Sequence, residues 1–177
     1  MNENQLFFRV LQEGAVGGAL LAAVAFLLSR FVRDIVGRSL LVIILFAAAG
    51  AYFGFAVAGN AGPLWTLLEL AQVVAFGVTA LLGWRGSPWW LAAGWVLHPL
   101  WDAGLHYAGP GHAFAPLPYA VACASYDLVV AAYVAAAYGL LGAGRMGFRG
   151  AAAGAEGKGR PGTWGGDKGV DNLHAGV

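Results

Sequence analysis

Five long apolar stretches dominate this sequence and constrain its fold more than any other feature. Hydrophobic residues make up 59% of the 177 residues and charged residues only 11%, whereas soluble domains average about 25% charged residues. A water-soluble fold of this size leaves too much surface exposed to bury so many apolar side chains. A membrane-spanning helix needs about 20 mostly apolar residues. The sequence therefore predicts an all-α integral membrane bundle of about five transmembrane helices, at residues 15–31, 40–58, 64–84, 88–107 and 117–141.

The distribution of Lys and Arg predicts the orientation of these helices. With five spans, the N-terminus shares one side of the membrane with the second and fourth loops, and only Arg9 among the 10 basic residues lies there. The others flank the first loop, the third loop and the C-terminus, and basic flanks stay in the cytoplasm. We therefore expect the N-terminus outside and the C-terminus inside. Arginine exceeds lysine, and Ala and Gly abound, as in GC-rich bacterial genomes, which predicts a multi-pass protein of the bacterial cytoplasmic (inner) membrane.

The C-terminal segment from residue 144 differs in composition from the rest of the chain. It is rich in glycine, carries charges of both signs and has few large apolar side chains. Such a segment cannot bury enough apolar surface to offset the entropy cost of ordering. The sequence therefore predicts a transmembrane helical domain at 1–143 and a disordered cytoplasmic tail at 144–177. The net charge of +1, without a basic stripe outside the membrane flanks, predicts no nucleic-acid partner.

Ionisable residues inside the apolar spans are the strongest functional signal. They are Glu69, His98, Asp102, His106 and Asp127. Each carboxylate in a span costs about 2.5–3.5 kcal/mol on insertion scales, and the spans contain no Lys or Arg to offset that cost apart from Arg30 at the far end of the first span. Three ways of offsetting this free-energy cost are possible. The acids are protonated and hydrogen-bonded, they pair with protonated histidines, or they hold a cation that is not part of the chain.

Helix geometry brings these residues to similar depths. His98, Asp102 and His106 are spaced i, i+4 and i+8 and form one stripe on the fourth helix. With a rise of 1.5 Å per residue, Glu69 lies roughly level with Asp102, and Asp127 roughly level with His98. All five lie in the outer half of the membrane, whereas the inner half is almost purely apolar. The spans therefore predict a polar pocket on the outward side.

Imidazole and carboxylate groups at matching depth are ligands suited to Zn²⁺, Fe or Mn. We therefore predict a divalent metal site with His98, Asp102 and His106 as candidate ligands, and with Asp127 and Glu69 as candidate catalytic acid/base groups. Because His98 and His106 lie roughly 12 Å apart along the axis, a single metal would take two adjacent members of the stripe plus Glu69 or Asp127. A two-metal site bridged by Asp102 is also open.

Two further patterns concern helix shape and packing. Pro99 removes a backbone donor inside the fourth span and frees the carbonyl of Trp95, which predicts a kink that opens a cavity at the site. Gly50 and Gly54 form a small-xxx-small pair that lets helices approach closely, although an Ala-rich chain contains such pairs by composition alone.

The run from His98 to His106, with the residues after it, resembles a family of small bacterial integral membrane proteins. The pattern is roughly H-x-x-W-D-x-x-x-H, followed in the next helix by P-x-Y, C and D. It covers the last two helices. The resemblance implies that six residues act as one set, and it implies no particular activity. The set is His98, Trp101, Asp102, His106, Cys123 and Asp127.

Three functions remain open from these residues. The first is a membrane-embedded, metal-dependent enzyme acting on a lipid or other apolar substrate, in which the metal activates water or polarises the substrate. The second is a transporter for protons, metal ions or a small cation, for which five helices are few unless the chain forms a homo-oligomer. The third is a structural or accessory subunit whose polar residues only specify helix pairing. The lipid bilayer is the partner common to all three.

Overall fold

The fold is helical throughout the part of the chain that the structure, a computed structural model, describes, which is residues 2–140. The bundle helices are α1 (Glu3–Phe31), α2 (Asp34–Ala58), α3 (Pro63–Arg85), α4 (Pro88–Trp101) and α5 (Leu117–Val134). A π-helical turn, Asp102–Tyr107, continues α4, and a second one, Ala135–Leu140, continues α5. The predicted all-α fold is confirmed. The predicted tail at 144–177 lies outside the described residues and stays a prediction.

Four helical stretches in the described chain are long and apolar enough to cross a membrane: α1, α2, α3 and Leu117–Leu140. The fourth helix with its π-helical turn is long enough, since 20 residues span about 30 Å, but its histidines and aspartate reduce its hydropathy. Large apolar side chains cover the outside of the bundle, among them Leu20, Ile43 and Leu67, each more than 60% exposed. In water such a surface would be an aggregation liability. The predicted membrane bundle is therefore confirmed.

Each helix packs against the next along the chain, and α5 returns to pack against α1, which closes the bundle. Residues 32–33 join α1 to α2 and residues 86–87 join α3 to α4. We call this the basic end, because Arg30, Arg38 and Arg85 lie there. The α2–α3 turn and the α4–α5 loop lie at the other end, here called the site end. At the α2–α3 turn, Gly62 has a φ of 89°, which a side-chain-bearing residue rarely adopts.

The interior differs between the two ends of the bundle. Toward the basic end it is an apolar core, with Leu41, Leu45, Leu91, Trp95 and Val130 all fully buried. Toward the site end the buried residues include every ionisable side chain that the sequence places inside the spans. The prediction of one apolar half and one ionisable half therefore matches the arrangement of the described residues. Which half faces outward stays a prediction from the charge distribution.

Glycine packing in the bundle differs from the expected pair. A Cβ added at Gly50 or Gly54 would meet no atom within 4 Å in the described chain, so these residues make no close helix contact there. The close contact lies between α1 and α5 instead. A Cβ at Gly18 would lie 2.5 Å from the carbonyl oxygen of Tyr126, and one at Gly14 would clash with the carbonyl oxygen of Ala122. The pair Gly14-x-x-x-Gly18 is thus the small-xxx-small contact of the fold.

This contact makes a stability prediction. Gly18→Leu is expected to destabilise the protein by about 1–3 kcal/mol, because the added side chain forces α1 away from α5. The matched control Gly54→Leu is expected to leave stability unchanged or slightly raised, since leucine favours helix and finds open space. Unfolding of the purified variants in detergent checks both. Equal effects of the two substitutions would contradict the assigned contact.

Candidate functional site

The stripe on the fourth helix lies where its geometry changes from α to π. The α-helix continues through Pro99 to Trp101, and Asp102 begins the π-helical turn. The N–H of Ala108 donates to the carbonyl of Ala103 at 3.0 Å, five residues back. Turns of this kind are rare and frequently occur at functional sites. His98, Asp102 and His106 are each fully buried, so the stripe faces the interior of the bundle as predicted.

The first half of the site is built around His98. Its Nδ1 lies 2.7 Å from Asp127 Oδ2, a hydrogen bond that joins α4 to α5. The same Nδ1 lies 3.5 Å from Asp102 Oδ2. The edge of Phe76 packs against the imidazole ring, with ring centroids 5.1 Å apart. His98 is therefore held between two carboxylates and an aromatic wall.

The second half of the site is built around His106. Its Nε2 lies 3.1 Å from Glu69 Oε1 of α3, and its Nδ1 lies 3.8 Å from Asp102 Oδ1. The phenol ring of Tyr52 stacks on the imidazole, with centroids 3.9 Å apart and planes at 13°. His106 thus contacts one carboxylate through each ring nitrogen and is fixed in orientation by Tyr52.

The α4–α5 loop covers this second half at the site end. A Cβ at Gly111 would lie 2.7 Å from the His106 ring, so only glycine allows the loop to come this close. Phe114 adds an edge contact, with its centroid 5.9 Å from that of His106. This loop and Tyr52 together leave His106 fully buried.

Asp102 connects the two halves. The five ionisable residues form a row in which carboxylates and imidazoles alternate, in the order Asp127, His98, Asp102, His106, Glu69. Asp102 is the least well compensated member, because neither of its oxygens has a hydrogen-bond partner among residues 2–140. Within the same described residues, partners are also absent for four other atoms of the row, namely Glu69 Oε2, His98 Nε2, His106 Nδ1 and Asp127 Oδ1.

The row is short of positive charge. Three carboxylates face two imidazoles, and none of the buried residues at 2–140 is Lys or Arg. Burying an uncompensated charge is strongly unfavourable. Either added protons or a bound cation must therefore balance the charge of the row. Added protons on the acids and the histidines combine the first two predicted compensations, and a bound cation is the third.

Three members of the row have the geometry of a metal site. Ligand atoms of His98, Asp102 and Asp127 lie within 4.8 Å of one another. A tetrahedral Zn²⁺ with bonds of about 2.1 Å places its donors about 3.4 Å apart, so small side-chain rotations would complete the site. One imidazole and two carboxylates suit Zn²⁺, Fe or Mn. No other trio within residues 2–140 meets the same distance criterion.

The five predicted site residues thus lie together in one row. Their grouping differs from the predicted one in two respects. Asp127, expected as an acid/base group, lies in the trio, whereas His106, expected as a ligand, lies outside it. Glu69 contacts His106. It is not paired with Asp102, although a uniform helix rise predicted that Glu69 and Asp102 lie at the same depth. The estimate assumed a uniform α-helical rise, whereas residues Asp102–Tyr107 form a π-helical turn.

Sequence reasoning missed Tyr52. A tyrosine six residues from the end of α2 has the same depth as the row, by the same helix rise, so the signal was available. Gln72, in contrast, donates to the carbonyl of Ala49 at 2.8 Å and joins α2 to α3. The other members of the resemblance set lie beside the row. Cys123 is buried one turn before Asp127, and Trp101 packs on a cluster containing Ala49 and Phe76.

The comparisons with known proteins match the chain to a family without an assigned activity. The family described as "Family of unknown function (DUF6010)" matches residues 13–140, which contain the whole row. Neither the curated proteins nor the solved structures contain a match. The expected family of uncharacterised proteins is supported to that extent, while the H-x-x-W-D-x-x-x-H pattern and the bacterial origin stay predictions. Because the match covers most of its length, the chain belongs to the family of unknown function DUF6010.

Proposed function

We propose that this protein is a membrane-embedded metalloenzyme acting on a lipid or other apolar substrate, with a divalent metal held by His98, Asp102 and Asp127. One observation carries the proposal. A buried imidazole and two buried carboxylates converge in a helical bundle whose described interior has no Lys or Arg. A divalent cation would balance both aspartates at once, and it would give Asp102 the partner that it lacks among residues 2–140.

The remaining pair supplies acid/base chemistry in this proposal. A metal at the trio would activate a water molecule or polarise the substrate. Glu69 and His106 share a hydrogen bond beside Asp102 and can take up or release the proton. Glu69 thus keeps its predicted acid/base role, and Asp127 becomes a ligand. Stacking by Tyr52 holds the imidazole of His106 in place during the transfer.

A second candidate is a proton or cation transporter, which the alternating row favours. A proton could pass along Asp127, His98, Asp102, His106 and Glu69 by short steps. The apolar core toward the basic end argues against this function, because Leu41, Leu45, Leu91, Val130 and Val134 are fully buried there and offer no polar relay. The enzyme proposal needs no path across the membrane and is therefore preferred.

Metal analysis of the purified full chain tests the proposal. We expect wild-type protein, prepared without chelator, to contain stoichiometric Zn, Fe or Mn. His98→Gln and Asp127→Asn are expected to reduce the metal content to background, because each removes one of three ligands. The matched controls are His112→Gln and Asp34→Asn, whose side chains are exposed and are not members of the trio, and these should keep the metal.

Two outcomes would contradict this proposal. Wild-type protein without stoichiometric metal, after reconstitution with each of the three ions, would remove its basis and favour proton transfer along the row. Equal metal loss in the ligand variants and the controls would place the ion elsewhere in the chain.

A further inference from the structure

A crevice in the flank of the bundle leads to the trio from the side. It has a volume of about 320 Å³ and lies between α1, α2 and α5. Pockets that bind small ligands have volumes of about 300–1,000 Å³, so this one lies at the lower end of that range. Its walls are mainly apolar and include Ile44, Ala47, Ala48, Ala122, Tyr119 and Tyr126.

The helix packing explains why this space exists. The first half of α1 lies close against α5, where Gly14 and Gly18 allow contact with the backbone at Ala122 and Tyr126. α1 meets α2 near the turn that joins them, since a Cβ at Gly37 would clash with Ser29 and the carbonyl of Ala25. Farther from that turn, α2 lines the crevice with the small side chains of Ala47 and Ala48 and with Ile44.

The crevice has an apolar mouth and a polar floor. Ala47 is exposed on the flank of the bundle, which the lipid bilayer surrounds. Asp127 lines the inner part, fully buried, and its Oδ1 has no hydrogen-bond partner in the described part of the chain. The other oxygen of Asp127 bonds His98 at 2.7 Å. A molecule in the crevice would therefore lie directly beside the trio.

In contrast to the crevice, the site end of the described bundle gives no open access to the row. Gly111 and Phe114 of the α4–α5 loop pack against His106, and Tyr52 stacks on its other side. His98, Asp102 and His106 are all fully buried. The crevice, which Asp127 lines, therefore offers a route to the row from the flank of the bundle.

We propose that this crevice binds one acyl chain of a membrane lipid and presents it to Asp127. The proposal has two parts. The part that names the substrate, a lipid that enters sideways from the bilayer, rests on the metal centre proposed above. The part that concerns binding rests only on the crevice. The apolar walls match the chain, and the unsatisfied carboxylate oxygen matches a hydrogen-bond donor near that chain.

Photolabelling tests the binding. The full chain is placed in phosphatidylcholine nanodiscs with a small fraction of diacylglycerol, which has a free hydroxyl as hydrogen-bond donor and carries a diazirine on one acyl chain. A second groove, between α2 and α3, serves as the internal reference for general lipid contact. It is larger, at about 440 Å³, and entirely apolar, and its lining includes Ile43, Phe46, Val74 and Val78. Mass spectrometry then compares adducts on residues 119–127 with adducts on the reference groove.

We expect adducts in the crevice to exceed those in the reference groove by about tenfold, which corresponds to a preference of about 1.4 kcal/mol. Ala47→Trp, at the exposed mouth, should reduce the crevice adducts to the level of the groove, since the indole fills the entrance. The matched control is Val57→Trp on the same helix, where the side chain is 52% exposed and lines neither the crevice nor the reference groove. It should leave crevice labelling unchanged.

Equal labelling of the two grooves, or crevice labelling that survives Ala47→Trp, would overturn the inference. Metal content measured on the same nanodisc samples separates this result from the proposed function. Metal without preferential labelling refutes only the crevice proposal. Preferential labelling without metal refutes only the metal centre and leaves an acyl-chain site beside a row of acids and imidazoles.

Discussion

His98→Leu is expected to destabilise the metal-free protein by about 3–5 kcal/mol, because removing one partner of a buried ion pair leaves the other uncompensated. The partner is Asp127, whose Oδ2 lies 2.7 Å from His98 Nδ1 with both side chains fully buried. Asp127→Leu is expected to cost a similar amount for the same reason. The double variant should cost clearly less than the two single variants together, since it leaves no stranded charge.

A double-mutant cycle in the presence of chelator measures this coupling. Reversible unfolding in mixed micelles gives the free energy for each of the four proteins, and we expect a coupling energy near the upper end of the usual range of about 0.5–3 kcal/mol. The control cycle uses Ser29→Ala and Tyr138→Phe, whose hydroxyls lie 2.6 Å apart near the basic end. That neutral hydrogen bond should couple by about 1 kcal/mol. A smaller coupling for His98 and Asp127 than for the control would contradict the ion pair.

The sequence is informative about this fold because the bilayer restricts the choices. In lipid, every backbone polar group must bond within the chain, so long apolar stretches become helices. Within residues 2–140 all five predicted spans are helical, with α1 extended to Glu3 and α2 to Asp34. The limit of this reasoning is the fourth helix. It ends in the π-helical turn Asp102–Tyr107, which residue spacing along one helix does not predict.

The site shows the same division between local and tertiary information. The i, i+4, i+8 stripe and the level of Asp127 follow from one helix rise, and the structure places Asp127 against His98. The partner of Glu69 is His106, which lies one turn beyond Asp102 on the fourth helix. Helix packing was the least predictable part, because glycine pairs at 14/18 and 50/54 have identical spacing. Only their neighbours in the fold distinguish them.

Asp102→Asn is expected to have opposite effects on metal binding and on stability. Asp102 lies 3.5 Å from His98 Nδ1 and 3.8 Å from His106 Nδ1, beyond ordinary hydrogen-bond length, and both oxygens lack partners among residues 2–140. An amide of the same shape removes a buried carboxylate from a row that is short of positive charge. We therefore expect the metal-free variant to be more stable than wild type by about 1–2 kcal/mol.

The same substitution should weaken metal binding by more than about 100-fold, since even partners outside the ligand set are worth about 10–100-fold. Titration with Zn²⁺ or Mn²⁺, followed by the shift in unfolding temperature, measures affinity and stability in one experiment. Asp34→Asn, at an exposed carboxylate 3.7 Å from Arg38 Nη2, should leave metal binding unchanged and lower stability by less than about 1 kcal/mol. A purely structural role for the row predicts the reverse sign, because Asp102→Asn would then remove a helix-pairing group and lower stability. A variant that binds metal normally and unfolds more easily would therefore favour the structural role over the metal centre.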